Sequence, residues 1–179
     1  MPASSPRLVL DTSALVSLAH GDLLNLALAE FHVTISNYVR DELRQMSAFD
    51  DADGRAATDV LARLDDLDLQ EVARAEVDPL RTSKIDAGEA SCVVLAQDPN
   101  VAALISDDFD AMHQMQAYAQ QHGFDLGLGA VVVHALLKRG RLSQDDALGR
   151  LGRIAEQRGW MGRPIYHAYR RAVESEETG

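Results

Sequence analysis

The chain reads as an α/β fold with a central, mainly parallel sheet of four to five strands. Three observations predict it. Short apolar and β-branched runs alternate with segments of helical periodicity. One run, Val101 to Ile105, is apolar without a break, as a central parallel strand covered on both faces requires. Acidic residues recur where strand-like runs end or helices begin, and the carboxyl ends of parallel strands face one crevice.

Taken in order, Arg7 to Leu10 forms a first strand that ends in Asp11. Thr12 or Ser13 can cap the next helix, Ala14 to Ala19, which His20-Gly21-Asp22 breaks. Leu23 to Phe31 repeats a helical apolar pattern, and Val33-Thr34-Ile35 is a β-branched second strand. Ser36 or Asn37 caps a helix carrying Glu42. Ala48 to Gly54 reads as an acidic loop, and Arg55 to Leu67 as a helix with Val60, Leu61, Leu64 and Leu67 on one face. Leu69 to Val72 is a short third strand, and Asp78 to Lys84 a loop. Asp86 to Gln97 is a helix, followed by an Asp98-Pro99-Asn100 turn and the Val101 strand. Phe109 to Gln121 is helical, and Phe124 to Leu126 an edge strand. Leu128 to Leu137, Gln144 to Ile154 and Pro164 to Val173 are three closing helices. Residues 1–179 make one domain: a core over about 7–127, C-terminal helices over about 128–173 and a polar tail, 174–179.

Composition narrows the function. No apolar run approaches the roughly 20 residues of a membrane span, and no apolar leader follows Met1, so a cytoplasmic protein with no membrane partner is expected. Cys92 is the only cysteine and cannot form an intrachain disulfide. It falls on a helical apolar face and reads as a small buried hydrophobe. The net charge is −11, with 17 basic residues against 28 acids. Only two basic residues are lysine, Lys84 and Lys138, whereas 19 of the acids are aspartate. Aspartate-rich, lysine-poor surfaces suit concentrated salt, which points to a halophilic source. The charge is also uneven: residues 138–171 hold nine basic residues and three acids. Solvated helix faces or a phosphate-facing edge would both account for that stretch.

Four carboxylate stations carry the chemistry. Asp11 closes the first strand, where it could cap the next helix or ligate a hard cation. Glu42 sits on a helix beside apolar Val39 and Leu43. Asp86 and Glu89 share one helix face at spacing i, i+3; a capping box explains the same letters, and the two readings can coexist. Gly88 between them permits close approach of another segment. Asp107, Asp108 and Asp110 crowd the end of the Val101 strand, more acids than one cap needs. Acids brought together from distant segments repel unless a divalent cation holds them, and carboxylates suit Mg²⁺ or Mn²⁺.

The ordered motifs Leu-Asp-Thr-Ser, Arg-Asp-Glu-Leu, Asp-Ala-Gly-Glu-Ala and Ile-Ser-Asp-Asp-Phe resemble those of PIN-domain nucleases over residues 7–110. The Gly-Glu-Ala form, and the Gly127-Leu128-Gly129 to Gly140 helix, resemble prokaryotic VapC-type toxins and related PIN proteins. The resemblance implies a three-layer α/β/α fold. It carries the catalytic and metal-binding quartet onto Asp11, Glu42, Glu89 and Asp108. Asp86, Asp107 and Asp110 then become supporting ligands or water orienters, and Ser13 and Ser106 occupy positions often held by small hydroxyl residues. It implies a Mg²⁺- or Mn²⁺-dependent endoribonuclease that hydrolyses RNA phosphodiester bonds, a small antitoxin partner, and a homodimer. The alternative is a PIN-like RNA-binding or regulatory module without cleavage.

Competing classes lack their signatures. No Asp-x-Asp follows the first strand, as a phosphoryl-transfer hydrolase would want. No Gly-x-Gly-x-x-Gly follows a strand, and Lys138 is poorly placed for a receiver-type domain. The six histidines show no metal-binding spacing and read as surface or core residues. Trp160, between two helices, packs the terminal helix onto the body or stacks on a base or a partner.

Overall fold

A computed structural model describes residues 5–175. Five strands form one sheet: β1 (Arg7–Leu10), β2 (His32–Ser36), β3 (Asp68–Gln70), β4 (Val101–Ile105) and β5 (Leu126–Gly127). The order is β3-β2-β1-β4-β5 and every pairing is parallel. The chain therefore builds outward from β1 to β3, then crosses back to lay β4 on the other side of β1. The strand order reverses between β1 and β4, and that switch point opens a crevice at the carboxyl ends of the strands.

Ten α-helices lie among the described residues: α1 (Thr12–His20), α2 (Leu24–Glu30), α3 (Asn37–Met46), α4 (Ala52–Leu61), α5 (Arg74–Val77), α6 (Ala87–Ala96), α7 (Met112–His122), α8 (Gly129–Lys138), α9 (Gln144–Arg158) and α10 (Pro164–Glu174). They flank the sheet to give the expected α/β layers. One group gathers around α1, which meets α3, α4, α8 and α9, while α10 covers α8 and α9. The other gathers around α6, which lies against β1, β2 and β4 and meets α5 and α7. Helix α1 is apolar on nearly every side, and Ala14 to Leu18 are buried consecutively because helices pack around it as well as the sheet.

Several boundaries depart from the sequence reading, each for a local reason. Helix α4 begins inside the expected acidic loop because the Asp51 carboxylate accepts the Gly54 N–H at 2.7 Å. It ends at Leu61, and Leu64–Asp66 forms a separate 3₁₀ turn. The short helix α5 arises in a stretch with little periodicity; Val77 is buried, and Glu76 accepts the Ala73 N–H at 3.2 Å. Strand β4 is less covered than its apolar letters suggest, with Ala102 exposed, since β5 pairs only with Leu104 and Ile105. Helix α7 starts at Met112 rather than near Phe109, because the preceding residues form a turn around Asp108. The expected polar tail falls mostly outside the described residues, and Glu174 still belongs to α10.

The C-terminal helices are tied down at one buried carboxylate. Asp107 follows β4, is 4% exposed, and directs both oxygens into the protein. Oδ1 accepts the Gly129 N–H at 2.9 Å, and Oδ2 accepts the Tyr169 hydroxyl at 2.6 Å. A Cβ at Gly129 would stand 2.1 Å from that hydroxyl, so only glycine lets α8 start there. Trp160 stacks obliquely on Tyr169 with ring centroids 5.5 Å apart and is buried, which makes it the packing residue between α9 and α10. The positive φ of 63° at Gly159 turns the chain into this position.

Tyr169→Phe removes one donor and leaves a buried carboxylate oxygen without its partner. Urea denaturation is expected to show a loss of about 1–3 kcal/mol; an unchanged midpoint would contradict the anchoring role of this contact.

Candidate active site

The two strands at the switch point deliver acids side by side. Asp11 directly follows β1, is 3% exposed, and caps α1 itself: Oδ1 accepts the Ala14 N–H at 2.9 Å and the Ser13 hydroxyl at 2.7 Å. The cap is thus Asp11 and not Thr12 or Ser13. Ser13 instead bridges the strand ends, its oxygen accepting the Asp107 N–H at 2.8 Å. Ser106 Oγ lies 3.5 Å from Ser13 Oγ and accepts the Asp108 N–H at 3.2 Å.

The other acids come from helices. On α3, buried Val39 and Leu43 fix the face that turns Glu42 inward, and the Thr12 hydroxyl donates to its Oε2. The Glu42 carboxylate rests over Gly88, where a Cβ would approach Oε1 to 2.1 Å. At the start of α6 the capping box is real: Asp86 accepts the Glu89 N–H and Glu89 Oε2 accepts the Asp86 N–H, each at 2.9 Å. Glu89 is nonetheless 9% exposed and faces the other acids, so capping and site coincide. Asp108 Oδ1 accepts the N–H groups of Asp110 and Ala111 at 2.9 and 3.0 Å.

Asp11, Glu42, Glu89 and Asp108, together with Asp86, line one cavity of about 370 Å³. Asp11, Glu89 and Asp108 each satisfy backbone N–H groups at a helix start or turn, which tempers their negative charge without cancelling it. Burial pushes the Asp11 carboxyl up to about 6, Glu42 to about 7 and Glu89 to about 8. Neighbouring carboxylates add to this: Asp86 and Asp11 act on Glu42, and Asp86, Asp108 and Asp11 act on Glu89. Among the described residues no three such side chains close onto a single metal-holding point. The donor set is all oxygen and anionic, from five carboxylates facing one cavity, and this fits a hard divalent ion such as Mg²⁺ or Mn²⁺.

The supporting residues separate by position. Asp86 is exposed at the cavity wall, whereas Asp107 points away from the quartet into the anchor with Gly129 and Tyr169. Asp110 is exposed and lines a second cavity of about 420 Å³ beside the first. Asp108, Ser13 and Arg158 line both. Arg158, at the last residue of α9, is the one basic side chain among the described residues on the acidic cavity. The sequence did not single it out, since nothing in its letters separates it from eight other basic residues of the C-terminal stretch. Thr12 and Gly88 had visible signals: a hydroxyl beside Asp11, and a glycine between two acids. Cys92 is buried beneath β1 with its thiol 4.0 Å from the Leu10 carbonyl; burial, and then the charges of Asp11, Glu42 and Asp86, push the thiol far above its ordinary range, so it stays neutral.

A parallel sheet whose switch point opens into an acidic cavity defines an α/β domain with a carboxylate-lined cleft at its strand ends. A model of the PIN domain matches residues 7–175, nearly the whole chain, and the protein belongs to that family. No curated protein matches the chain. No helix among the described residues is long and apolar enough to cross a membrane.

Two outcomes follow from this geometry. Unfolded carboxyls ionise near pH 4, while Asp11, Glu42 and Glu89 in the fold ionise near 6, 7 and 8. Between those values the folded chain binds more protons than the unfolded one, so stability falls as pH rises from about 4 to 8. In a chelating buffer the melting temperature is expected to drop over that range, and Mg²⁺ or Mn²⁺ to raise it more at pH 8 than at pH 5; a flat, ion-insensitive profile would contradict the crowding. Gly88→Ala is expected to push Glu42 out of the cavity. Its carboxyl should then titrate, by NMR, well below about 7 and towards its ordinary 4.5, and an unmoved titration would show that Gly88 does not hold it.

Proposed function

We propose that this PIN-domain protein is a metal-dependent endoribonuclease. The observation that carries the reading is the convergence of Asp11, Glu42, Glu89 and Asp108, from four separate segments, on one cavity at the sheet's switch point. When bound, Mg²⁺ or Mn²⁺ would supply a nucleophilic water at neutral pH and stabilise the leaving oxygen of an in-line displacement. The chain's own part is positioning. Asp11 stands at the end of β1, held by Ser13, and Asp108 in the turn after β4, its N–H held by Ser106. Glu42 is held by Thr12, and Glu89 by its capping box. No side-chain nucleophile is required. Arg158 faces the same cavity with the opposite charge, which suits a phosphodiester among carboxylates.

RNA as substrate, the likeness to VapC-type toxins, a small antitoxin partner and a homodimer belong to the same proposal. They rest on the four ordered motifs and the arginine-rich C-terminal stretch. A cytoplasmic site of action suits a chain with a single buried thiol, and a halophilic source suits its −11 charge.

Purified protein with Mg²⁺ or Mn²⁺ is expected to cleave RNA, and Asp11→Asn or Asp108→Asn to reduce the rate by more than about 100-fold. Equal background cleavage by wild type and both variants would sink the enzyme reading. An adjoining open reading frame for a small protein that suppresses toxicity is expected, and harmless expression from a lone gene would overturn the toxin assignment.

A further inference from the structure

We propose that the second cavity, beside the acidic centre, is a nucleotide subsite: Arg158 and Arg163 hold a backbone phosphate of single-stranded RNA while Phe109 stacks on the adjoining base. This subsite, which presupposes the ribonuclease reading above, is continuous with the acidic cavity. Ser13, Asp108 and Arg158 line both spaces, so a strand passing from one to the other stays in contact with the same residues.

The two arginines are poised for an external anion. Most arginines of this acidic chain are paired with carboxylates, among them Arg7, Arg40, Arg63, Arg139, Arg150 and Arg170. Arg163 stands exposed before α10 and, among the described residues, makes neither an ion pair nor a side-chain hydrogen bond. Arg158 is 18% exposed, reaches Asp53 only at 4.0 Å, and donates no hydrogen bond among the described residues. Its guanidinium lies over the Trp160 ring at 5.5 Å from the centroid. Trp160 is itself fixed against Tyr169, so the plane of the fork is set while its donors stay available.

Phe109 supplies the apolar element. It is one of few large hydrophobic residues left exposed, at 42%, and it lines the same cavity. Its position is not slack, because Asp108 fastens the turn on either side of it through the Asp110 and Ala111 N–H groups. An aromatic ring beside arginines whose hydrogen-bond donors are free is what sequence-tolerant binding of a single strand needs. Asp107, Asp108 and Asp110 line the same cavity, and their carboxylates leave the arginines as the place for an anion. On a chain of net charge −11, a polyanion can approach only where positive charge is concentrated.

The test measures binding of a fluorescent single-stranded RNA oligonucleotide in Mg²⁺, using Asp11→Asn as the non-cleaving parent. Adding Arg163→Ala is expected to weaken binding about tenfold and to reduce the salt slope by about 0.7. Adding Phe109→Ala is expected to weaken binding about tenfold with the slope unchanged. Arg55→Ala, on an exposed face of α4, should leave both unchanged. Arg163 and Phe109 are exposed, so melting temperatures should match the parent. A parent that does not bind the oligonucleotide, or variants that bind like the parent, overturn the subsite. Cleavage by the wild type with no effect of either variant on binding removes the subsite and spares the nuclease reading. Binding that depends on both residues without any cleavage supports the subsite and removes the nuclease reading.

Discussion

A buried carboxylate with both oxygens bonded holds this molecule together at its most exacting point. Asp107 joins the end of β4 to the first residue of α8 and to the middle of α10, and its own N–H reaches back to Ser13 at the start of α1. A charge at 4% exposure persists only if its hydrogen bonds are complete. Burial pushes the Asp107 carboxyl up, while the Tyr169 and Gly129 donors oppose that shift. The consequence reaches the acidic cavity, because Asp108 is the next residue and Asp11 shares its serine with Asp107. The quartet can be no better positioned than this anchor.

Charge is handled differently at the two ends of the sheet. At the amino end Arg7 binds Asp68 and Asp98 and donates to Thr34, so the acids there are neutralised within the chain. At the carboxyl end five carboxylates face one cavity and a single arginine. Hydroxyls and backbone N–H groups orient these acids without cancelling them. The fold thus bears an electrostatic cost at this one place, as expected of a functional site rather than a structural ion-pair network.

The fold, and the gathering of Asp11, Glu42, Glu89 and Asp108 on one cavity, were largely legible in the letters. Strand-like runs ending in Asp11 and Asp108 declare the sheet and its crevice, and the spacing of Asp86 and Glu89 declares a helix start. Gly88 announced a close approach, and Glu42 is the group that makes it. The role of Asp107 was not legible, because its partner Tyr169 lies far along the chain in a helix whose own periodicity explains a tyrosine equally well. Arg158 was hidden for a similar reason: which arginine of α9 reaches the cavity depends on how α9 docks against α1. Helix starts were misread where a carboxylate bonding nearby N–H groups overrode the apolar pattern, as a cap at Asp51 and as a turn at Asp108.

The edges of the sheet carry one more consequence. Strand β3 has three residues and includes Asp68 and Gln70, and β5 has only two. Such short margins offer little free backbone ladder, which disfavours extension of the sheet by a foreign strand or another copy. The same truncation guards an aspartate-rich chain against edge-to-edge aggregation when solvent conditions screen its repulsion.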